Sequence, residues 1–419
     1  MRKWLSGQAA KRLSQASPER WGWLCLLPTA YCLLLTTGEA AHIEHHDGLP
    51  IVHLEGTSYD LGRQHGELLR TPIQQSVGQI LGYFRRYLKV PLIGPLAANW
   101  WLDRPWTNAL PFIPQEYLEE LRGLADGSGV PVKELWRLHA IPDRTYACSS
   151  LAVWGRATRG GRLIHTRNLD WNIEVGIQQY AVVFVVRPQG KQAFVNVGWA
   201  GFIGVLTGIN EQGLSIGQIG AETADASYRG VPMTFLMRKV LEEAGGLEES
   251  VRMIHDAPRT VGVNYVIADA KVRRAVAVET TKRFAAVFEA NDPMEHAVPY
   301  ARPIADAVFR ADTAVDPTIR NDQIASDGDP TKPGLEPPGG SAYEVRYLGQ
   351  AEGIRTHHGR IDAEAAKRIA QDVAPSSNVQ SVVFAWLEMW IANAQGRTRA
   401  AHTPYRRLNL EALFEKGQP

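Results

Sequence analysis

The chain has 419 residues, of which 45% are hydrophobic and 21% are charged, and its formal net charge is +1 at pH 7. This is the composition of a globular protein, and the length is sufficient for a large core in one or two domains. The near balance of 45 basic and 44 acidic residues gives no support to nucleic-acid binding.

Residues 1–40 have the layout of a secretory signal: a basic region, an uncharged apolar run over residues 21–35, and small residues at Gly38 and Ala40. The apolar run is interrupted by Pro28 and is shorter than the roughly 20 residues of a membrane-spanning helix. We predict a signal peptide over 1–40 and an exported protein, periplasmic or secreted. The alternative is an uncleaved signal anchor that holds the protein on the membrane through residues 21–35.

Of the three cysteines in the chain, only Cys148 lies outside the predicted signal. Cys25 and Cys32 lie within the signal, so the exported chain keeps only Cys148 and forms no internal disulfide. In an oxidising compartment a lone thiol is either buried and inert or retained for its reactivity.

Residues 51–146 are predicted to form a short strand followed by helices, the first of which is opened by Thr57 or Ser58. The preceding stretch HIEHHD, His42 to Asp47, is interpreted as a solvated tail rather than a metal site. The other histidines show no ligand spacing, so we predict no metal and no cofactor.

The pattern changes at Cys148 to short β-branched and aromatic runs punctuated by glycine. NEQG, Asn210 to Gly213, is typical of a hairpin turn. Helices are predicted at 233–244 and 247–255, and again after Ser341 and Asp362. Strands and helices come in blocks rather than in strict alternation, which predicts an α+β fold with antiparallel sheets.

The first predicted hairpin places candidate catalytic side chains at one end of a sheet. With the turn near Gly160 and Gly161, we expect Arg167 to Asp170 to lie opposite Ser149 to Ala152. A guanidinium favours the thiolate of a nearby cysteine, and a carboxylate can orient an amine or hold the arginine. If Cys148 is a chain terminus, its α-amine can serve as general base. The alternative is an Arg–Asp pair beside a buried, inert cysteine.

These segments resemble a known superfamily. CSSLAVWG followed by GRLIHTRNLDW resembles the start of the mature choloylglycine hydrolase and penicillin acylase type of N-terminal-nucleophile hydrolase. LEGTSYDLGRQHGELL resembles the propeptide start of peptidase family C45, the acyl-CoA:6-aminopenicillanic acid acyltransferase-like proteins. GINEQGLSIG, NYVIADAKVRRAVAVETT, DAVFRADTAVDPTIRN and SVVFAWLEMWIANAQG are also similar to that family, so the resemblance runs from about Ile51 to Leu413.

The resemblance implies a four-layer αββα sandwich of two antiparallel sheets. It also implies a zymogen that cuts its own Ala147–Cys148 bond. The products would be a mostly helical N-terminal chain, 41–147, and a catalytic chain, 148–419, which stay associated.

By the same resemblance, Cys148 is the nucleophile and its α-amine the base. Arg167 lowers the pKa of the thiol, and Asp170 bonds to the amine or the thiol. Arg346, in EVRY, is a candidate for the arginine that the superfamily places near the site from a later helix.

The candidate oxyanion donors of this chain differ from the pattern that the resemblance implies. The backbone of Cys148, Asn168, Asn264 and the N–H of Gly220 are the candidates. Relatives have an asparagine in a TNH stretch where this chain reads ADT, with Asp312 in its place. An ionised Asp312 would repel a developing oxyanion, so we expect it to be protonated, to be replaced by another donor, or to reduce activity.

The function that follows is a self-processing cysteine amidohydrolase or acyltransferase. It would cleave a linear non-peptide amide, a small acyl amide, through a thioester acyl-enzyme, with water or an amine as acceptor. The alternative, favoured by the Asp312 departure, is a non-catalytic exported or membrane-anchored binding protein on the same fold.

Overall fold

The computed structural model describes residues 41–87, 94–143, 147–324 and 342–415, and the predicted signal of residues 1–40 lies outside them. Two β-sheets pack face to face, with helices on both outer faces. Among the described residues, no helix combines the length and apolarity needed to cross a membrane.

The strands in chain order are β1 (His42–His46), β2 (Leu49–Gly56), β3 (Ala147–Gly155), β4 (Gly161–Asp170), β5 (Ala181–Pro188), β6 (Phe194–Trp199), β7 (Thr207–Asn210), β8 (Leu214–Gly220), β9 (Val263–Asp269), β10 (Arg274–Thr280), β11 (Ala285–Phe288), β12 (Ala307–Arg310), β13 (Asn378–Ala385), β14 (Glu388–Asn393) and β15 (Arg406–Asn409).

The helices in chain order are α1 (Ser58–Leu68), α2 (Arg70–Tyr87), α3 (Gly94–Ala109), α4 (Gln115–Ser128), α5 (Val132–Ala140), α6 (Met233–Glu243), α7 (Leu247–Asp256), α8 (Pro293–His296), α9 (Pro317–Asp322), α10 (Ala342–His357), α11 (Ala363–Asp372) and α12 (Leu410–Glu415).

Helix α1 shows how the sequence sets these bounds. Thr57 caps the helix, as predicted, and its side-chain oxygen accepts a hydrogen bond from the backbone N–H of Asp60 at 3.3 Å. Helix α4 ends at Gly129, whose φ of +75° is in the left-handed region that glycine adopts without a steric penalty.

The first sheet has the strand order β1-β2-β5-β6-β7-β8-β9-β10-β11, and the second has the order β12-β3-β4-β13-β14-β15. Helices α1, α6 and α7 pack on the outer face of the first sheet, α10 and α11 on that of the second, and β3 packs against β8 and β9 between them. This arrangement confirms the predicted α+β fold with four αββα layers.

Two expectations about the first sheet are wrong. Strands β2 and β5 pair in parallel, so this sheet is not purely antiparallel. Residues 57–180 separate the two strands, and a crossover of that length permits parallel pairing. The segment His42–His46 is not a solvated tail but the edge strand β1, and the His42 ring stacks on His53 at a centroid distance of 4.4 Å.

A buried ionic cluster joins the helical segment before Cys148 to the part of the chain after it. Arg238 in α6 donates to both carboxylate oxygens of Glu120 in α4, at 2.8 and 2.6 Å, and to Glu242 at 2.7 Å. All three side chains are buried. Removing one partner of such a group leaves an uncompensated buried charge, so the cluster fixes α4 against α6.

Helices α1 and α4 are in backbone contact because glycines occupy their crossing. Gly62 and Gly66 in α1 face Gly123 and Gly127 in α4. A Cβ added at Gly123 would lie 2.1 Å from the carbonyl oxygen of Tyr59, and one at Gly62 would lie 1.9 Å from that of Glu120. The two helices therefore cannot keep this distance with any larger residue at these positions.

We predict that Gly123→Ala lowers the free energy of unfolding by roughly 1–3 kcal/mol, because the new methyl group forces the two helices apart. Gly78→Ala is the matched control, since a Cβ at Gly78 in α2 has nothing within 4 Å. That variant is expected to be neutral or more stable by up to about 1 kcal/mol. Denaturant unfolding followed by tryptophan fluorescence gives both values, and equal effects of the two substitutions would contradict the close crossing.

Candidate active site

The β3–β4 hairpin brings the predicted residues to one end of the second sheet, with a register that differs from the expectation by two residues. Cys148 lies opposite Leu169 and Ser150 lies opposite Arg167, so Arg167 to Asp170 face Ala147 to Ser150. The difference arises because the connecting loop is 156–160 and the pairing is irregular between Val153 and Gly155.

The Cys148 sulfur lies against a buried guanidinium. Arg167 Nη2 is 2.9 Å from Cys148 Sγ, and both residues are buried. The Arg167 side chain extends to the first sheet, where Nη1 donates to the Thr207 hydroxyl at 2.9 Å and Nε donates to the Gln218 carbonyl at 3.2 Å. A Cβ at Gly217 would lie 2.9 Å from Arg167 Cγ, so the glycine makes room for this path.

The Cys148 nitrogen has a different partner, Asp312. The backbone N–H of Cys148 donates to Asp312 Oδ1 at 2.6 Å. Strand β12 pairs with β3 so that Arg310 lies opposite Ser150, and the same register carried two residues further places Asp312 beside Cys148. The backbone N–H of Gly220 also donates to the Asp312 carboxylate.

Arg346 in α10 links the two carboxylates of the site. It donates through Nη1 to Asp312 Oδ2 at 2.8 Å and through Nη2 to Asp170 Oδ2. Asp170 Oδ1 accepts from Asn378 Nδ2 at 2.9 Å, while the backbone N–H of Asp170 donates to the Cys148 sulfur. The structure thus places Arg346 at the site, beside Asp170, and the contact of Asp170 with the thiol is through its backbone.

In the uncut chain, burial is the largest influence on the pKa values of Cys148 and Asp312. It raises the pKa of the Cys148 thiol to about 12, opposed by the positive charge of Arg167 and reinforced by Asp312 and Asp170. Burial also raises the pKa of Asp312 to about 8, although Arg346 opposes the shift. In the uncut chain the nitrogen of Cys148 is a peptide amide, so the thiol has no basic α-amine beside it.

Two of the predicted oxyanion donors are engaged elsewhere. Asn168 donates to the Ala370 carbonyl at 2.7 Å and accepts from Ser381 at 2.6 Å, on the side of α11. The N–H of Gly220 bonds to Asp312. Asn264 Nδ2 lies 3.4 Å from the Ala311 carbonyl, and its Oδ1 has no partner among the described residues.

An apolar cavity adjoins the thiol. Among the described residues that line it, and apart from the two tryptophans, the polar side chains are those of Cys148, Asp170 and Gln218. The remaining lining residues are apolar or aromatic: Ile80, Leu138, Ile141, Pro142, Leu169, Trp171, Ile177, Trp199, Ala200, Phe202 and Leu206. Four of these, Ile80 to Pro142, come from the segment before Cys148, so both parts of the chain form the cavity.

Sequence reasoning missed Gln218. Its Oε1 accepts from Arg167 Nη2 at 3.0 Å and lies 3.5 Å from Cys148 Sγ. The signal that could have identified it is a long polar side chain in LSIGQIG, a strand otherwise made of apolar residues, glycine and one serine. That strand is buried throughout, and a buried amide requires a partner.

Parts of this chain are similar to known proteins. Residues 157–298 match the family model described as acyl-coenzyme A:6-aminopenicillanic acid acyl-transferase. The chain is 28% identical to "Protein dcd1B" of Dictyostelium discoideum over 262 residues, which cover 58% of this chain and 52% of that protein. It is 25% identical to acid ceramidase of Rattus norvegicus over 190 residues, covering 40% of this chain and 48% of that protein.

The chain thus spans about half the length of these two curated relatives. Among solved structures, the Caenorhabditis elegans N-acylethanolamine-hydrolyzing acid amidase ortholog matches with a TM-score of 0.41 and 16% identity, covering 57% of this chain and 92% of that one. The match over residues 157–298 agrees with the resemblance drawn from the sequence: this part of the chain is similar to the acyl-coenzyme A:6-aminopenicillanic acid acyl-transferase family.

Proposed function

We propose that this chain is a self-processing cysteine amidohydrolase or acyltransferase that acts on linear amides with an apolar acyl group. One observation carries the proposal: the sulfur and the nitrogen of a single residue, Cys148, have separate ionisable partners, Arg167 and Asp312, beside an apolar cavity. An inert buried cysteine needs neither partner, whereas an N-terminal nucleophile uses both atoms.

The first reaction is on the chain itself. The Cys148 sulfur attacks the carbonyl carbon of Ala147, the S–C bond forms and the C–N bond breaks. The thiol proton passes to the released nitrogen, which becomes an α-amine. Water then hydrolyses the thioester, so that Ala147 ends in a carboxylate and the thiol is regenerated.

The second reaction repeats this attack on a substrate amide. The new α-amine, with an ordinary pKa of about 8, can accept the thiol proton and pass it to the leaving amine. Asp312 accepts from the Cys148 nitrogen in the intact chain, and the same contact would orient the amine after cleavage. Asp312 therefore acts on the nitrogen of Cys148, and Arg167 stabilises the thiolate.

The cavity supports the substrate class. The described residues that line it are apolar except beside Cys148, so an aliphatic or aromatic acyl chain is buried there while its carbonyl lies at the sulfur. The name of the rat relative, acid ceramidase, indicates a lipid amide as the substrate of that protein. The thioester is then resolved by water in a hydrolase or by an amine in an acyltransferase.

The two products of self-cleavage would stay associated. Strand β2 pairs with β5 across the cut, and Arg238 binds Glu120 on the other side of it. The helical segment also supplies four of the cavity residues. We also propose that residues 1–40 direct export of the protein. The chain after residue 40 has a single thiol, Cys148, which in an oxidising compartment agrees with a cysteine retained for its reactivity.

We predict that the purified wild-type protein consists of two fragments, one of which begins with Cys148, and that Cys148→Ala stays whole. Intact mass spectrometry with N-terminal sequencing measures this directly. Ser149→Ala is the control, because it alters the neighbouring residue without removing the nucleophile, and it should cut as the wild type does. A wild-type protein that is folded and uncut would favour the non-catalytic binding protein.

We further predict a pH-dependent effect of Asp312→Asn in the uncut Cys148→Ala background. Burial raises the pKa of Asp312 from 3.8 to about 8 in the folded chain, so between these values the folded chain holds a proton that the unfolded chain has lost. That contribution to stability is fully present below about pH 4 and is lost as the pH rises to about 8.

Asparagine does not titrate. The thermal midpoint of Cys148→Ala/Asp312→Asn, relative to Cys148→Ala, should therefore rise from pH 5 to pH 8 and level off above that. Differential scanning calorimetry across this range makes the comparison. A difference between the two proteins that is the same at every pH would show that Asp312 is ionised throughout.

A further inference from the structure

The side-chain amide of Gln218 has a fixed orientation. Its oxygen must be the atom 3.0 Å from Arg167 Nη2, because a guanidinium only donates and an amide nitrogen cannot accept. Arg167 Nε also donates to the backbone carbonyl of the same residue at 3.2 Å. One arginine therefore holds Gln218 at two points, and the direction of the amide nitrogen follows from this.

That amide nitrogen is an unused donor. Gln218 is fully buried, and its Nε2 has no hydrogen-bond partner among the described residues. A buried donor without a partner is destabilising, and in native structures such a group requires an explanation. Gln218 also lines the apolar cavity in which the acyl chain of a substrate would lie.

We propose that Gln218 is a catalytic residue whose Nε2 donates to the carbonyl oxygen of the bound acyl group as that oxygen becomes an oxyanion. The inference rests on the proposed function. The amide oxygen of Gln218 is 3.5 Å from the Cys148 sulfur, and the nitrogen of the same amide is about 2 Å from that oxygen. A carbonyl carbon attacked by the sulfur thus has its oxygen within hydrogen-bonding reach of Nε2.

The remaining groups near the sulfur are less suited to this role. Asn168 bonds to α11 and the second sheet, and Asn264 Nδ2 lies 3.4 Å from the Ala311 carbonyl. The N–H of Gly220 bonds to Asp312, which itself only accepts from the Cys148 nitrogen. Gln218 thus supplies an amide donor from the first sheet. The donor is held in place before the substrate binds, which is the arrangement that makes oxyanion stabilisation effective.

The test compares two substitutions in the full-length, self-cleaved protein. Gln218→Glu keeps an acceptor for Arg167 and removes the donor, whereas Gln218→Met keeps the volume and removes both. Gln192→Met is the control, because Gln192 is a partly buried glutamine bonded to Asn210 and Ala244 at the far end of the first sheet. The probe is the N-dodecanoyl amide of 7-amino-4-methylcoumarin, and alkylation of Cys148 by iodoacetamide across pH reports the thiol separately.

We expect both Gln218 variants to lose about 10²- to 10³-fold in kcat, the effect of removing one oxyanion donor, with KM changed only a few-fold. Alkylation needs no oxyanion donor, so its limiting rate at high pH should stay within a few-fold of wild type. Gln192→Met should keep wild-type kcat.

Three results would overturn the inference. The first is a Gln218→Glu variant with wild-type kcat, since Gln218 would then only position Arg167. The second is a loss of alkylation equal to the loss of kcat, which would place the defect in the thiol. The third is a folded variant that stays uncut, which would place Gln218 in maturation. Failure of the wild-type protein itself to cleave the probe would instead contradict the proposed function.

Discussion

The site depends on the Arg167 guanidinium, which is buried between the two sheets and touches the Cys148 sulfur. A buried guanidinium is stable only when its donors are used, and here they bond to Thr207, to both oxygens of Gln218 and to the thiol. Gly217 lacks the side chain that would block this path. This one side chain therefore bonds to the first sheet and also opposes the effect of burial on the pKa of the thiol.

The backbone nitrogen of Cys148 has a different set of neighbours, Asp312 and, through it, Arg346. Burial raises the pKa of Asp312, and Arg346, which opposes this shift, is shared with Asp170. An α-ammonium produced by cleavage would add the missing positive charge at Asp312. The Asp312 carboxyl group is thus a partner for an amine rather than an oxyanion donor, and we propose that Gln218 supplies the donor.

The sequence predicted what depends on local spacing. Cys148, Arg167 and Asp170 share a hairpin, and Thr57 caps α1, because these features follow from residues close together in the chain. The parallel pairing of β2 with β5 and the contact between Asp312 and Cys148 depend on segments far apart in the chain, which no local pattern specifies. Gln218 was missed because its role arises from Arg167 crossing to the other sheet.

The most direct test of the central claim is to trap the acyl-enzyme. The self-cleaved protein is incubated with the 4-nitrophenyl ester of dodecanoic acid, quenched in acid, digested and analysed by mass spectrometry. We predict one dodecanoyl group on the peptide that begins with Cys148. Acylation of another residue, or none on a chain that has cut itself, would contradict Cys148 as the nucleophile.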